Sequence, residues 1–273
     1  MRDVSKLYGK QLWVWYVDQS GGVEGVITTA KAAGADGVIV KCADGTTPWP
    51  QFEQAVTTLK AAGLTVGAWA YVYPDNEQEQ ATVIANACAG ADYLVVDAES
   101  PFEEVAMATT AETLGAALRV LFPDLPIGLT TFAIPHLHPT FPYAAFAHWV
   151  DFIAPQAYWA DAGMDPRMML SDAITGLAKY GKPIMPIGQA YPRATAADIA
   201  LFAVRAAELE LRGISFWDVQ HLRAEATLMQ AIKGSRVYAP PHKTDKPKPH
   251  GLDATQEKTI NEIEKLVGEL KTE

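Results

Sequence analysis

The sequence predicts an α/β fold, a closed (β/α)8 barrel of the TIM type, followed by a C-terminal linker and helix. Eight short apolar stretches recur along the chain, and their first residues lie 25 to 33 positions apart. Most intervals between them have the composition of a helix. Strand and helix alternating eight times favours a parallel barrel. The alternative, an open doubly wound sheet, suits eight even units less well.

The eight apolar stretches are rich in β-branched and aromatic residues, which is typical of parallel strands that are buried on both faces. They cover residues 12–17, 37–42, 65–72, 93–99, 126–132, 151–159, 183–191 and 213–220.

Capping signals mark the helices in the intervals. The predicted helices 23–33, 51–62 and 76–89 each lie next to a glycine, which relieves left-handed backbone strain past a helix end. Helix starts are predicted at the capping boxes Ser100–Glu103 and Thr195–Asp198, and at Asp165, which a proline follows.

The chain changes character after the eighth unit. We expect residues 1–233 to form the barrel and residues 234–253, rich in proline and lysine, to form an extended linker. Residues 254–273 have apolar side chains at the spacing of an amphipathic helix. Because so short a helix is marginal alone, it either docks on the barrel, frays, or associates with copies of itself.

Composition narrows the classes of function. The 273 residues are 49% hydrophobic, and the net charge is −10. Such a chain lacks the basic surface that non-specific nucleic-acid binding requires. No apolar run reaches the roughly 18 residues of a membrane span. Cys42 and Cys88 are too few for a disulfide scaffold, so we expect two buried thiols.

A pair of carboxylates ends the fourth stretch. Side chains alternate along a strand, so Asp97 and Glu99 share one face. Active sites of parallel barrels form at the C-terminal strand ends. Two carboxyls this close push their pKa values apart, and a neutral acid beside an anion is what glycosidic bond cleavage uses. The alternative is a polar pair that caps the next helix.

Other residues end strands at the same predicted mouth. Aromatic residues near the C-terminal ends of the strands can stack on sugar rings, although tryptophan and tyrosine in barrel strands often belong to the core instead. Gln156 can bind hydroxyls or an acetamide, and a glutamine in an apolar strand is costly unless it is paired. The remaining candidates are Asp18, Lys41, Trp69, Tyr71, Tyr158, Gln189, Trp217 and Asp218.

Two histidines, His136 and His138, have the spacing of metal ligands. No third ligand is evident, so a loop pair is the better interpretation. The sequence also lacks the glycine-rich motifs that bind phosphate groups. We therefore expect neither a metal nor a cofactor.

Several motifs, in order along the chain, resemble the glycoside hydrolase family 25 lysozymes. The run 38–46, Val-Ile-Val-Lys-Cys-Ala-Asp-Gly-Thr, is similar to that family's second-strand motif, apolar residues followed by Lys-Ala-Thr-Glu-Gly. Residues 62–71 resemble its third strand, and residues 94–99 resemble its catalytic Asp-x-Glu strand. Asp18 matches the place of its first-strand aspartate. The resemblance covers residues 11–232.

The sequence departs from that family at several points. The family's first-strand Gly-x-Asp-x-Ser is here the run 15–20, Trp-Tyr-Val-Asp-Gln-Ser, and its third-strand histidine is replaced by Ala70. The runs 155–159 and 215–218 look as much like other glycoside hydrolase barrels, including the chitinase-like family 18. These departures affect the identity of the glycan more than the chemistry.

The resemblance implies a hydrolase of β-1,4 bonds in an N-acetylated glycan, with bacterial peptidoglycan as the expected polysaccharide. It implies Glu99 as general acid and Asp97 as the group that orients or stabilises an attacking acetamide. Activation of a water by Asp97 or Asp18 is the alternative route. From a different class, the alternative is a non-catalytic glycan-binding or virion structural barrel.

The N-terminal run MRDVSKLYGK lacks the apolar segment of a signal peptide. We therefore expect synthesis in the cytoplasm and action on the cell wall after release, as for a phage-type lysin or a virion-associated enzyme.

Overall fold

The computed structural model describes residues 2–104 and 107–238, which form the predicted (β/α)8 barrel. Eight strands are parallel, and each of the eight predicted stretches overlaps one of them. In chain order the strands are β1 (Gly9–Val14), β2 (Gly37–Asp44), β3 (Thr47–Pro48), β4 (Thr65–Tyr71), β5 (Tyr93–Asp97), β6 (Ile127–Phe132), β7 (Phe152–Ala157), β8 (Ile187–Gln189) and β9 (Gly213–Trp217).

The ring closes because β1 pairs with β9 on one side and with β2 on the other. The other parallel strands pair in chain order around the barrel. β3 is an addition that the apolar pattern does not predict. It pairs antiparallel with the end of β2 and is exposed, so it carries no apolar signal.

Helices cover the outside of the ring. Three helices predicted from the sequence are confirmed, with ends shifted by at most two residues. None of the described helices is both long and apolar enough to cross a membrane. The helices are α1 (Gly22–Ala33), α2 (Gln51–Ala61), α3 (Glu77–Ala87), α4 (Ala108–Leu121), α5 (Tyr143–Trp149), α6 (Trp159–Ala162), α7 (Pro166–Leu177), α8 (Ala196–Glu208), α9 (Val219–Leu222) and α10 (Ala226–Gly234).

Two of the three predicted helix starts are confirmed. Thr195 and Asp198 form the reciprocal capping box of α8, and Asp165 caps α7. The capping box predicted at Ser100 is wrong. Glu99 stands at the cap position of a single 3-10 turn without a side-chain cap, and α4 begins only at Ala108.

The interior of the barrel is filled by side chains. Trp13, Trp69, Tyr93 and Phe152 are buried there together with aliphatic residues. A second apolar layer, between strands and helices, contains the two predicted thiols, which are free and buried. The interior tryptophans therefore form a floor beneath the C-terminal strand ends, where barrel active sites lie.

The described chain ends at Tyr238, whose backbone N–H donates to the carbonyl oxygen of Leu211. Most of the predicted linker, from residue 239 on, and the predicted helix 254–273 lie outside the described residues.

Close packing inside the barrel predicts a stability effect at Gly128. A Cβ there would lie 2.2 Å from ring carbons of the fully buried Phe152. We expect Gly128→Ala to lower the free energy of unfolding by about 1–3 kcal/mol, measured by urea denaturation. The control is Gly234→Ala, where a Cβ meets no atom within 4 Å. Equal stability of the two variants would contradict the packing.

Candidate active site

A pocket of about 360 Å³ opens at the C-terminal ends of the strands, above the tryptophan floor. We call it the central pocket. Each of the eight parallel strands contributes at least one residue to it. Tyr71, Asp97 and Trp217, for example, are the last residues of β4, β5 and β9. Its lining consists of Trp13, Trp15, Lys41, Asp44, Trp69, Tyr71, Tyr73, Asp97, Glu99, Thr130, Gln156, Tyr158, Ile187 and Trp217.

The two predicted carboxylates share one hydrogen-bond donor in this pocket. The side-chain nitrogen Nε2 of Gln156 donates to Glu99 Oε1 at 2.7 Å and to Asp97 Oδ1 at 3.2 Å. Gln156 reaches them from β7, which is separated from β5 by β6 alone. This contact satisfies the polar side chain that the sequence places in an otherwise apolar strand.

The shared donor limits the distance between the carboxylates. Because one nitrogen contacts both oxygens, those two oxygens are at most about 6 Å apart. Inverting glycosidases hold their two carboxyls roughly 6.5–9.5 Å apart so that a water fits between them, and retaining enzymes hold them closer. The geometry therefore suits a route in which no water stands between Asp97 and Glu99.

Burial sets the ionisation of Asp97. The residue is 6% exposed. Burial raises the pKa of its carboxyl well above the usual value, and the neighbouring Glu99 raises this pKa further, whereas the Lys41 ammonium lowers it. Burial and the neighbouring carboxylate therefore both favour the neutral form of the Asp97 carboxyl.

Two phenols flank the carboxyl pair. Burial and the nearby acidic groups raise the pKa of Tyr71 and of Tyr158. Both hydroxyls therefore stay protonated and can donate hydrogen bonds to a ligand.

A buried ammonium lies on another side of the pocket. Lys41 is 3% exposed, and its Nζ donates to Asp44 Oδ2 at 2.6 Å. The Nζ also lies 4.0 Å from the ring centroid of Trp49 and 4.8 Å from that of Trp69. Tyr73 donates its hydroxyl to the other Asp44 oxygen. Charge pairing and aromatic faces together compensate the loss of water around Lys41.

Some aromatic residues of the pocket are fixed by the fold, and others are available to a ligand. The Trp69 indole N–H donates to the Val14 carbonyl oxygen and the ring is 2% exposed, so Trp69 belongs to the floor. Trp15 and Trp217 are partly exposed, and their rings lie 5.7 Å apart, tilted by 45°. They form an aromatic wall above the floor.

Two polar atoms of the pocket residues have no partner among the described residues. They are the hydroxyl oxygen of Thr130 and the indole nitrogen of Trp15, both buried. Thr130 lies opposite Asp97 in the register of β5 and β6. Buried polar groups are nearly always hydrogen-bonded, so these two atoms mark positions where a ligand can supply a partner.

Eight of the predicted site residues line the central pocket. They are Lys41, Trp69, Tyr71, Asp97, Glu99, Gln156, Tyr158 and Trp217.

Three predicted site residues do not line the central pocket. Asp18 is exposed and lines another pocket, beyond the end of β1. Gln189 is buried, and its side-chain oxygen accepts from the backbone N–H of Ala160. Asp218 is buried and caps α9 by accepting from His221. Gln189 and Asp218 are polar residues at strand ends, as predicted, but both side chains accept hydrogen bonds from backbone N–H groups.

The pocket also contains residues that the sequence did not single out, chiefly Trp13, Trp15 and Thr130. A signal was present for the tryptophans, since residues two apart on β1 share a face. Thr130 carries no such signal, because threonine is common in strands.

One of the two paired histidines, His138, has identified partners. His138 stacks on Phe132 with ring centroids 3.6 Å apart, and its Nδ1 contacts a Glu103 carboxylate oxygen at 2.9 Å. Within residues 2–104 and 107–238, no group of three or more His, Cys, Asp or Glu side chains is arranged to hold a metal ion.

No protein-family model matches the chain, and no curated protein matches its sequence. Solved structures do match. A glycoside hydrolase family 18 chitinase from Flavobacterium johnsoniae has a TM-score of 0.59 at 10% identity, over 83% of this chain and 93% of that chain. A family 18 N-acetylglucosaminidase from Paenibacillus barengoltzii has a TM-score of 0.59 at 11% identity, over 84% of this chain and 100% of that chain.

A β-glucuronidase from an uncultured Clostridium also matches, with a TM-score of 0.63 at 14% identity, over 83% of this chain and 50% of that chain. The structural neighbours are thus family 18 chitinases and other glycoside hydrolases of the TIM-barrel fold. At these identities the likeness shows the fold alone, and the resemblance to family 25 stays a prediction from the sequence.

The raised pKa of Asp97 predicts how Asp97→Asn changes stability with pH. A buried carboxyl of raised pKa contributes stability that is complete below its unfolded-state pKa, near 3.8, and is lost as the pH rises through its folded-state pKa. Asn cannot ionise. We expect Asp97→Asn to gain stability relative to the wild type as the pH rises above about 4, by about 1.4 kcal/mol per unit of pKa shift.

Urea denaturation at several pH values measures this gain. Asp124→Asn, at an exposed position, is the control and should show no such trend. If the difference in free energy of unfolding between the wild type and Asp97→Asn does not change with pH, ionisation of Asp97 does not destabilise the folded protein, and the prediction is wrong.

Proposed function

We propose that the protein is a glycoside hydrolase that cleaves β-1,4 bonds in an N-acetylated glycan, with peptidoglycan as its substrate. The observation that carries the proposal is the carboxyl pair Asp97 and Glu99, held by Gln156 at the base of an aromatic-lined pocket. The neighbours' shared fold is compatible with this activity.

Glu99 acts as the general acid. It is less buried than Asp97 and stands one strand step further out, where the glycosidic oxygen of a bound sugar can reach it. It donates its proton to that oxygen as the bond to the anomeric carbon breaks. The ionised Glu99 then takes a proton from the water that attacks the anomeric carbon, and the original state returns.

Asp97 assists through the substrate's own acetamide. The acetamide oxygen attacks the anomeric carbon as the leaving group departs, which produces a positively charged ring. Asp97 accepts a hydrogen bond from the acetamide N–H and stabilises this charge. When water then attacks the anomeric carbon, the bond from that carbon to the acetamide oxygen breaks and the acetamide is restored. An acetamide N–H against Asp97 favours the ionised form of Asp97, which leaves the role of acid to Glu99. Gln156 donates to both carboxyls and so tolerates the proton on either one.

The alternative route, in which a carboxylate activates a water directly, has less support. Asp18 lines a different pocket. The oxygens of Asp97 and Glu99 that share Gln156 are closer than an intervening water requires.

The pocket walls suit sugar units. Trp15, Trp217 and Tyr71 offer partly exposed aromatic faces, while Thr130 and Tyr158 offer hydroxyls. Such a combination of aromatic surface with a few fixed polar groups is typical of sites that bind small polar molecules.

We propose peptidoglycan first because of the family 25 resemblance of three strands. Action on the cell wall after release is part of the same proposal. Chitin is the second candidate, since several structural neighbours are chitinases. Both polymers carry the acetamide that the mechanism uses.

Glu99→Gln tests the activity. It preserves size and the contact with Gln156 but cannot donate a proton as an acid. We expect hydrolysis to fall by at least about a thousandfold, the scale at which a general acid contributes together with its second role as base. The assay is clearing of bacterial cell walls and release of products from chitin oligomers.

Glu104→Gln, at an exposed position near Glu99, is the control and should keep full activity. If the wild type acts on neither walls nor chitin oligomers, or if Glu99→Gln equals the wild type, the proposal is wrong.

The acetamide mechanism predicts selectivity between two chromogenic substrates. We expect release of nitrophenol from 4-nitrophenyl β-chitobioside and none above background from the cellobioside, which has a hydroxyl in place of each acetamide. Comparable turnover of the two would contradict participation of the acetamide while leaving glycoside hydrolysis intact.

A further inference from the structure

A second pocket, of about 630 Å³, lies beside the central pocket. It is formed between the loop that follows β1 and the segment that leads into α2. Its apolar surface comes from Tyr16, Pro48, Trp49 and Pro50, and Asp18 and Gln54 add polar groups. Asp18 is the single charged residue among the described residues that line it.

An aromatic surface joins the two pockets. Trp15, on the wall of the central pocket, stacks on Tyr16 with ring centroids 5.1 Å apart and planes 23° apart. The Tyr16 ring in turn lies 5.2 Å from the ring of Trp49. Lys41 of the central pocket lies over the same Trp49 ring. The rings thus continue from one pocket into the next.

Gln51 holds the two pockets in a fixed relation. Its side-chain nitrogen donates to the carbonyl oxygens of Trp15 at 2.7 Å and of Lys41 at 3.1 Å, and its oxygen accepts from the backbone N–H of Val17 at 3.0 Å. These bonds tie the start of α2 to β2 and to the loop after β1. A ligand spanning both pockets therefore meets a preformed surface.

The chemistry of the second pocket matches further sugar units of the same chain. Pyranose rings have apolar faces that pack on aromatic rings and hydroxyl edges that bind carboxylates and amides. Tyr16 and Trp49 are both partly exposed, so their faces are accessible. The exposed side chains of Asp18 and Gln54 can accept hydrogen bonds from hydroxyls.

We propose that the second pocket is a glycan subsite, which binds sugar units of the polysaccharide beyond those held in the central pocket. The inference rests on the proposed function and extends it to a substrate of several sugar units. It also gives Asp18 a role in binding, outside the reaction itself.

Binding by calorimetry in the Glu99→Gln background tests this without hydrolysis. The probes are the dimer and hexamer of N-acetylglucosamine and the peptidoglycan glycan strands of two and six sugar units. We expect the hexamer of the matching series to bind at least about tenfold more tightly than the dimer. Tyr16→Ala should remove most of that advantage, and Tyr16→Phe, which keeps the ring, should retain it.

Asp18→Ala is a second variant, at an exposed position, and should weaken hexamer binding about threefold. Thermal unfolding checks that each variant is folded. Equal loss of dimer and hexamer affinity in Tyr16→Ala, or an unchanged hexamer advantage in both variants, overturns the subsite. If no probe of either series binds to folded Glu99→Gln, the proposed function itself fails.

Discussion

The burial of one carboxyl, that of Asp97, determines how the rest of the barrel mouth is arranged. Removing this group from water raises its pKa and so favours its neutral form. The surroundings then limit the cost: Gln156 donates to it, and the Lys41 ammonium attracts its charged form. Without that burial the two acids at the end of β5 would be an ordinary solvated pair, and nothing would separate their roles.

The depth of the site follows from how the barrel is packed. Trp13 and Trp69 fill the interior just below the strand ends, and their indole N–H groups bond to Ser215 Oγ and to the Val14 carbonyl oxygen. These contacts fix the floor, so a ligand enters only as far as the level of Asp97. The same buried tryptophans fill the barrel interior below the pocket with apolar rings, and electrostatic interactions are stronger beside such a low-dielectric interior than in water.

The fold was predictable from the sequence because its signal is repeated. Each of the eight apolar stretches independently indicates a strand that is buried on both faces, so the predicted fold does not depend on any single stretch. Local signals were less secure. Residues 100–103 have the sequence of a capping box, but Glu99 occupies the cap position and its carboxylate accepts a hydrogen bond from Gln156 instead. The sequence does not reveal such competition between two partners.

The site was predictable where side-chain direction follows from strand alternation, as for Asp97 and Glu99. Positions of side chains in the loops after the strands were less predictable, because the loop conformation determines where they lie. Asp18 lies four residues past the end of β1, and the intervening turn carries it to the second pocket. Gln189 and Asp218 show that a polar residue at a strand end can hold backbone instead of lining the pocket. The sequence does not decide between those two roles for Gln156, whereas the structure shows that its side-chain nitrogen donates to both carboxylates.

A crystal structure of the Glu99→Gln variant with a bound N-acetylated oligosaccharide tests the central claim most directly. The account predicts a glycosidic oxygen within hydrogen-bond distance of residue 99, with the acetamide of the adjoining sugar directed at Asp97. An oligosaccharide whose glycosidic oxygens all lie out of reach of residue 99, or whose acetamide points away from Asp97, would contradict it.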